Sequence, residues 1–259
     1  MHSAALRAAG IDAVYVARDV IPDALAATVA ELRAQNCAGN VTIPHKQAMA
    51  LLCDRLTDAA RAAGAVNTFW MDEGALVGDN TDIAGFDAAA RAFVDVTDSE
   101  QATPVRVALI GAGGAGAAVA IATQSWPNAQ LTVWTRRADA AAAFTRRFAH
   151  ARGAESQRDA VRDADLAVNA TPIGLHDDAL PFAVDALAAN AAVLDLVYRP
   201  GETELVRRSR ARGLRASDGM AMLVEQGAAA FARWFGVEPD RSVMWEALGR
   251  QAPEVGRAG

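Results

Sequence analysis

The tightest constraint on this chain is the stretch VRVALIGAGGAG at residues 105–116. An apolar run rich in β-branched residues stops at Gly111, Gly113 and Gly116, spaced G-x-G-x-x-G, and an Ala-rich helical stretch continues to about residue 124. A strand that feeds a glycine turn and opens a helix reads as a dinucleotide-binding turn. Glycine lets the backbone turn tightly and approach a pyrophosphate, and the helix N-terminus favours negative charge. A tight strand–helix turn with no ligand would leave the same letters in an Ala- and Gly-rich chain.

The alternation continues with LTVW (131–134), a helical stretch near 138–149, LAVNA (166–170) and AVLDLVY (192–198). Continuous apolar strands separated by helices predict a parallel, doubly wound sheet covered on both faces and linked by right-handed crossovers. A different α/β segment comes before it. AVYVAR (13–18), GNVTI (39–43) and AVNTFW (65–70) read as strands, 22–35 as a helix, and GALVGD (74–79) as the hairpin partner of the last strand. Residues 220–235 predict one long helix and 241–250 a short one, both returning to the first segment. The expected organisation is a two-domain α/β chain. Residues 1–100, completed by 219–259, form the first domain; residues 101–218 form a Rossmann-like doubly wound parallel-sheet domain. The polar loop VDVTDSEQATP (94–104) leads into the second.

Composition narrows the function. A net charge of −6 argues against a nucleic-acid partner. No apolar run is long enough to span a membrane and no signal peptide opens the chain, so a cytoplasmic, membrane-free protein is expected. Cys37 and Cys53 lack disulfide or metal spacing, and His2, His45, His150 and His176 form no metal motif, so no metal is expected. A homodimer is compatible with the chain but not specified by it.

The basic residues carry a sharper signal. Of 25 Lys and Arg, Lys46 is the one lysine. Arg stays protonated in proteins, whereas a lysine ammonium can give and take a proton, so a chain that uses Arg wherever charge suffices keeps Lys where a proton moves. Chance in a biased composition is the plain alternative. GDNTD (78–82) brings Asp82, a carboxylate suited to orient an amine; alone, it reads as a turn with a helix cap. At the end of the second strand of the sheet domain, VWTRRAD places Thr135, Arg136 and Arg137 where an acidic residue would hold the ribose of NAD. Guanidinium groups suit the 2′-phosphate of NADP(H), and a pair of surface arginines is the alternative.

NVTIPHK (40–46), GAVNT (64–68), GDNTD (78–82), GAGGA (111–115), NATPIG (169–174), DLVYRP (195–200) and DGMAMLVEQ (218–226) occur in this order, and together they resemble shikimate dehydrogenase over essentially the whole chain. The resemblance implies reduction of 3-dehydroshikimate to shikimate with NADPH, in the pathway to aromatic amino acids. It implies that Lys46 and Asp82 are the catalytic pair, and that Thr42, Lys46, Asn67, Asp82, Tyr198 and Gln226 touch substrate. Gly111, Ala112, Gly113, Gly114 and Ala115 match the pyrophosphate loop, and Thr135, Arg136 and Arg137 the nucleotide signature, in which only one Arg is kept in place. Leu196 and Gly219 match nicotinamide-side positions, and Asp58 a further cofactor-side one. Core packing for Tyr198 and a surface amide for Gln226 are the plainer readings. The resemblance also implies a strand of roughly 5–6 residues and a loop with two serines upstream of MHSAALRAAGIDAVYV. Met1 is therefore expected to be an internal methionine, with a true truncation or an anchor supplied by something else as alternatives. A quinate- or NAD-using relative and a non-catalytic NADP(H)-binding protein are the competing functions.

Overall fold

The computed structural model describes residues 1–96, 103–127 and 129–250. The centre of the loop expected at 94–104 lies outside the described residues. In chain order the helices and strands are α1 (His2–Ala8), α2 (Leu25–Ala34), β1 (Gly39–Asn40), α3 (Lys46–Leu52), β2 (Arg55–Leu56), α4 (Asp58–Ala63), β3 (Thr68–Asp72), β4 (Ala75–Asp79), α5 (Thr81–Arg91), β5 (Arg106–Ile110) and α6 (Gly114–Gln124). They continue with β6 (Gln130–Trp134), α7 (Ala138–Arg147), β7 (Ala151–Gly153), α8 (Gln157–Val161), β8 (Leu166–Asn169), β9 (Ala192–Asp195), α9 (Glu204–Ala211), β10 (Arg215–Ser217), α10 (Met220–Phe235) and α11 (Arg241–Glu246). The contacts divide the chain into two units. One holds Met1–Gly85 and the described residues from Val224 onward; the other holds Phe86–Leu223.

The first unit contains a sheet in the order β1-β3-β4-β2. The expected β3–β4 hairpin is present, with Asp72 opposite Ala75. Its two-residue loop has positive φ at Glu73 (50°) and Gly74 (81°), the backbone that matches the right-handed twist of paired strands. Met49, Val66 and Leu76 are fully buried in its core, beside Val29 and Phe69.

Two expected strands in this unit are corrected. GNVTI contributes only Gly39–Asn40 to the sheet. The Val41 N–H still reaches Asn67 O, but the chain then turns, with His45 N–H bonded to Thr42 O, and Pro44 has no N–H to continue a ladder. AVYVAR forms no strand. Its valines and Tyr15 suit a strand, yet Val14 and Val16 are 87% and 64% exposed. A cavity of about 340 Å³, lined by Val14, Val16, Val20, Val29, Leu32 and Phe69 among others, opens between this segment and the edge of β1. Adjacent strands must lie about 4.8 Å apart to pair, so an intervening cavity prevents a ladder. The Tyr15 side chain instead reaches across to Asn40 Oδ1 at 3.0 Å.

The second unit contains a six-stranded sheet in the order β10-β9-β8-β5-β6-β7, with every pairing parallel. Numbered along this unit, the order is 3-2-1-4-5-6, and the direction of winding across the sheet reverses between β5 and β8. Alternate residues explain the continuous apolar strands. Ala108, Ile110, Ala167 and Val193 belong to a core shared with Val161, Leu205 and Val206, while Val107, Leu109, Val168 and Leu194, of opposite parity, are buried as well. Both faces of the strands are therefore covered. The run expected as a strand to Tyr198 leaves the sheet at Asp195, whose carboxylate accepts the Val197 N–H at 3.2 Å. The short strands β7 and β10 were not apparent in the sequence.

Candidate active site

In the first unit, four expected site residues form one hydrogen-bonded chain. Lys46 is the first residue of α3, where the turn through Pro44 ends, and its carbonyl accepts the Val66 N–H at 2.8 Å. Its Nζ donates to Asp82 Oδ2 at 2.7 Å, with the lysine side chain 27% exposed and the aspartate 9%. Asp82 Oδ1 accepts from Asn67 Nδ2 at 2.9 Å, and Asn67 Nδ2 also reaches Gln226 Oε1 at 3.3 Å. Both carboxylate oxygens are thus held, one by a charge and one by an amide, which fixes the plane of the acid. The remaining face of the Lys46 ammonium is accessible. An ammonium that among the described residues donates to Asp82 alone, held by an oriented carboxylate, can deliver a proton to an oxygen on that face.

The turn that positions Asp82 is built from its neighbours. Asp82 is not the helix cap. Asn80 Oδ1 accepts the Asp82 N–H at 3.2 Å, and Asn67 Oδ1 accepts the Thr81 N–H at 2.8 Å, so the start of α5 is tied to the residue just before β3. Asp79, at the end of β4, accepts from its neighbour's N–H (2.8 Å), from Arg233 Nε (2.9 Å) and from the Thr57 hydroxyl. Asp79 and Asn80 lie inside GDNTD but carried no assignment from sequence; the crowding of small polar residues in five positions was the available signal. Thr42 is exposed beside Lys46 in the chain. Asp58 stands apart in the first turn of α4, with its carboxylate solvent-exposed and paired to Arg61.

In the second unit, the glycine turn joins β5 to α6 beside the β5–β8 switch point. Gly111 has φ +111°, and a Cβ there would lie 2.8 Å from Ala170 O. A Cβ on Gly116 would lie 2.5 Å from Gly111 O, so the helix packs directly on the turn. Gly113 and Gly114 differ: among the described residues, a Cβ on either meets nothing within 4 Å beyond its own chain neighbours and helix backbone. Gly113 is the N-cap of α6 and makes no side-chain cap bond. Open space over two glycines at an uncapped helix start, with Ala115 in its first turn, fits a pyrophosphate. Thr135 follows β6 and is half-buried, and Arg136 and Arg137 are exposed beyond it, with Arg137 Nε 3.6 Å from Asp139. Leu196 and Gly219 meet at the far end of β9, where a Cβ on Gly219 would run into Leu196 O. Tyr198 is 46% exposed and so is not a core residue.

A doubly wound parallel sheet with an open glycine turn at its switch point, on the same chain as an oriented Lys–Asp pair, defines the class of nicotinamide-nucleotide-dependent oxidoreductases. Residues 1–69 match the model of the shikimate dehydrogenase substrate binding domain, and residues 219–248 that of the shikimate 5'-dehydrogenase C-terminal domain. The chain is 43% identical to the shikimate dehydrogenase (NADP(+)) of Rubrobacter xylanophilus, over 96% of this chain and 89% of that protein. Among solved structures it is similar to shikimate 5-dehydrogenase of Thermus thermophilus in complex with NADP(H) and shikimate, at 37% identity and a TM-score of 0.85, covering 95% of this chain and 91% of that one. It is also similar to quinate dehydrogenase of Corynebacterium glutamicum in complex with NAD, at 31% identity and a TM-score of 0.84, covering 95% and 92%. The chain belongs to the shikimate dehydrogenase family.

Proposed function

We propose that this protein reduces 3-dehydroshikimate to shikimate with NADPH, with Lys46 as the acid and Asp82 as the group that orients it. The observation that carries this reading is the bond from Lys46 Nζ to Asp82 Oδ2 at 2.7 Å, extended through Asn67 to Gln226. When bound, NADPH supplies the hydride to the carbonyl carbon. Lys46 gives its proton to the oxygen of that carbonyl as negative charge develops there, and solvent restores it. Asp82 remains a carboxylate throughout and keeps the ammonium aimed. Gln226 offers its amide to the ring hydroxyls and Thr42 a hydroxyl; Asn67, whose amide is bonded to Asp82, Gln226 and Thr81, and Tyr198 join the substrate set by sequence resemblance. Gly111, Ala112, Gly113, Gly114 and Ala115 hold the pyrophosphate, Thr135, Arg136 and Arg137 the 2′-phosphate ribose, and Leu196 and Gly219 the nicotinamide side. Asp58, exposed and paired with Arg61, is the weakest member of the cofactor set.

The test is the loss of nicotinamide absorbance when the purified chain is mixed with 3-dehydroshikimate and NADPH, with NADH and quinate plus NAD as separate arms. Turnover with NADPH and 3-dehydroshikimate is the expected result. Faster turnover of quinate with NAD would move the chain to the quinate branch, and NADPH binding without turnover would make it a nucleotide-binding protein. Arg136→Ala together with Arg137→Ala is expected to raise KM for NADPH about tenfold with little change for NADH. Together the two exposed guanidiniums give a phosphate about 1.4 kcal/mol of charge-assisted bonding after solvent screening, which is tenfold. An equal effect on both cofactors would remove these arginines from the 2′-phosphate site.

A further inference from the structure

We propose that Asp195 is a positioning residue for the nicotinamide end of the cofactor, setting the loops after β8 and β9 without touching the ligand. The proposal rests on the function proposed above. Asp195 is the last residue of β9, lies opposite Asn169 in register, and is 1% exposed. Its Oδ1 accepts from Asn169 Nδ2 at 2.8 Å and from the Val197 N–H at 3.2 Å; its Oδ2 accepts from the Thr203 hydroxyl at 2.6 Å. Thr203 caps α9, and Asn169 Oδ1 in turn accepts from the Thr171 N–H (3.0 Å) and hydroxyl (2.7 Å). The Leu196 N–H donates to Asn169 O at 2.9 Å, and the Gly219 N–H to Val197 O at 3.0 Å.

One buried carboxylate therefore organises residues 171–173, 196–198 and, through Val197, Gly219. These segments leave the carboxyl ends of adjacent strands next to the switch point, the edge where ligands of such sheets bind. Burial opposes the charge and pushes the carboxyl pKa up, an effect the neighbouring Asp218 adds to and the three donors oppose. A site that needed only packing would carry an apolar residue at no such cost. The acceptor is useful for what it holds: two backbone turns and a helix cap brought to a single point. The carboxylate is too deep to reach a ligand, so its effect is transmitted through Leu196 and Gly219.

Asp195→Asn in the full chain keeps shape and volume but sets an NH2 where an acceptor stood. The readout is the ratio of the dissociation constants of NADPH and adenosine 2′,5′-bisphosphate, which lacks the nicotinamide half. The ratio is expected to rise about tenfold while bisphosphate affinity stays within about twofold of wild type. The primary deuterium isotope effect from NADPH labelled at the transferred hydrogen is expected to rise with it. Thr203→Val, which removes the Oδ2 donor together with the hydroxyl that caps α9, is expected to move the ratio in the same direction. An unchanged ratio, equal losses for both ligands, or failure of both variants to fold would overturn the positioning role. Binding ratios need no turnover, so an inactive wild type would refute the proposed function while leaving this test readable.

Discussion

Lys46→Ala is expected to lower kcat for 3-dehydroshikimate reduction by about 10²–10⁴-fold, the range for a lost general acid, with NADPH affinity nearly unchanged. The separation follows from place. Lys46 lies in the first unit, bonded to Asp82, whereas the glycine turn lies in the second. Lys46→Arg separates charge from proton transfer: a guanidinium keeps the ion pair with Asp82 but does not release its proton near neutral pH. The Arg variant is therefore expected to fold like wild type, bind substrate, and still lose most of its turnover. The Ala variant also leaves Asp82, 9% exposed, with Asn67 as its remaining side-chain partner, so a modest fall in Tm should accompany it. Stopped-flow traces of NADPH oxidation, compared with NADPH titrations, check both halves. A kcat close to wild type in either variant would mean that the proton comes from elsewhere.

That the chain keeps a single lysine among 24 arginines made this residue visible before any geometry. Chemistry of that kind survives in sequence because side-chain identity is the signal. The doubly wound sheet was legible for a similar reason. VALI (107–110) and LAVN (166–169) are buried on both faces, so burial writes itself as an unbroken run, whereas in LTVW only Leu131 and Val133 are fully buried. The glycine turn declared itself through spacing, and the β3–β4 hairpin through Glu73-Gly74 between two apolar runs. Where sequence failed, a partner was the missing information. AVYVAR has the β-branched and aromatic residues of a strand, but strand formation requires a neighbour at ladder distance, and among the described residues none pairs with it. β7 and β10, three residues each, take their pairing from β6 and β9 rather than from their own composition. Asn169 and Asp195 went unassigned although both sit in quoted motifs. A buried polar residue has no periodic mark, and its importance depends on the donors folding brings to it.

Gly116→Val is expected to weaken NADPH binding about a hundredfold and to lower stability as well, whereas Gly113→Ala should weaken binding and leave Tm unchanged. The two glycines serve different contacts. A Cβ at 116 stands 2.5 Å from the carbonyl oxygen of Gly111, a backbone atom of the turn itself, and relief requires α6 or the turn to move. Overpacking of this kind costs about 1–3 kcal/mol, and at the upper end about 3 kcal/mol is a hundredfold in affinity when the moved atoms are those that hold the ligand. Among the described residues a Cβ at 113 meets nothing within 4 Å beyond its chain neighbours, and the backbone there, φ −86° and ψ −164°, suits any residue. Nothing among the described residues accounts for glycine at 113; a pyrophosphate lying close against the start of α6 does. Thermal melts and NADPH titrations of both variants separate the cases. If Gly113→Ala binds NADPH as wild type does, the phosphates do not pass over this turn. If Gly116→Val keeps both its affinity and its Tm, the helix has room that the 2.5 Å approach denies.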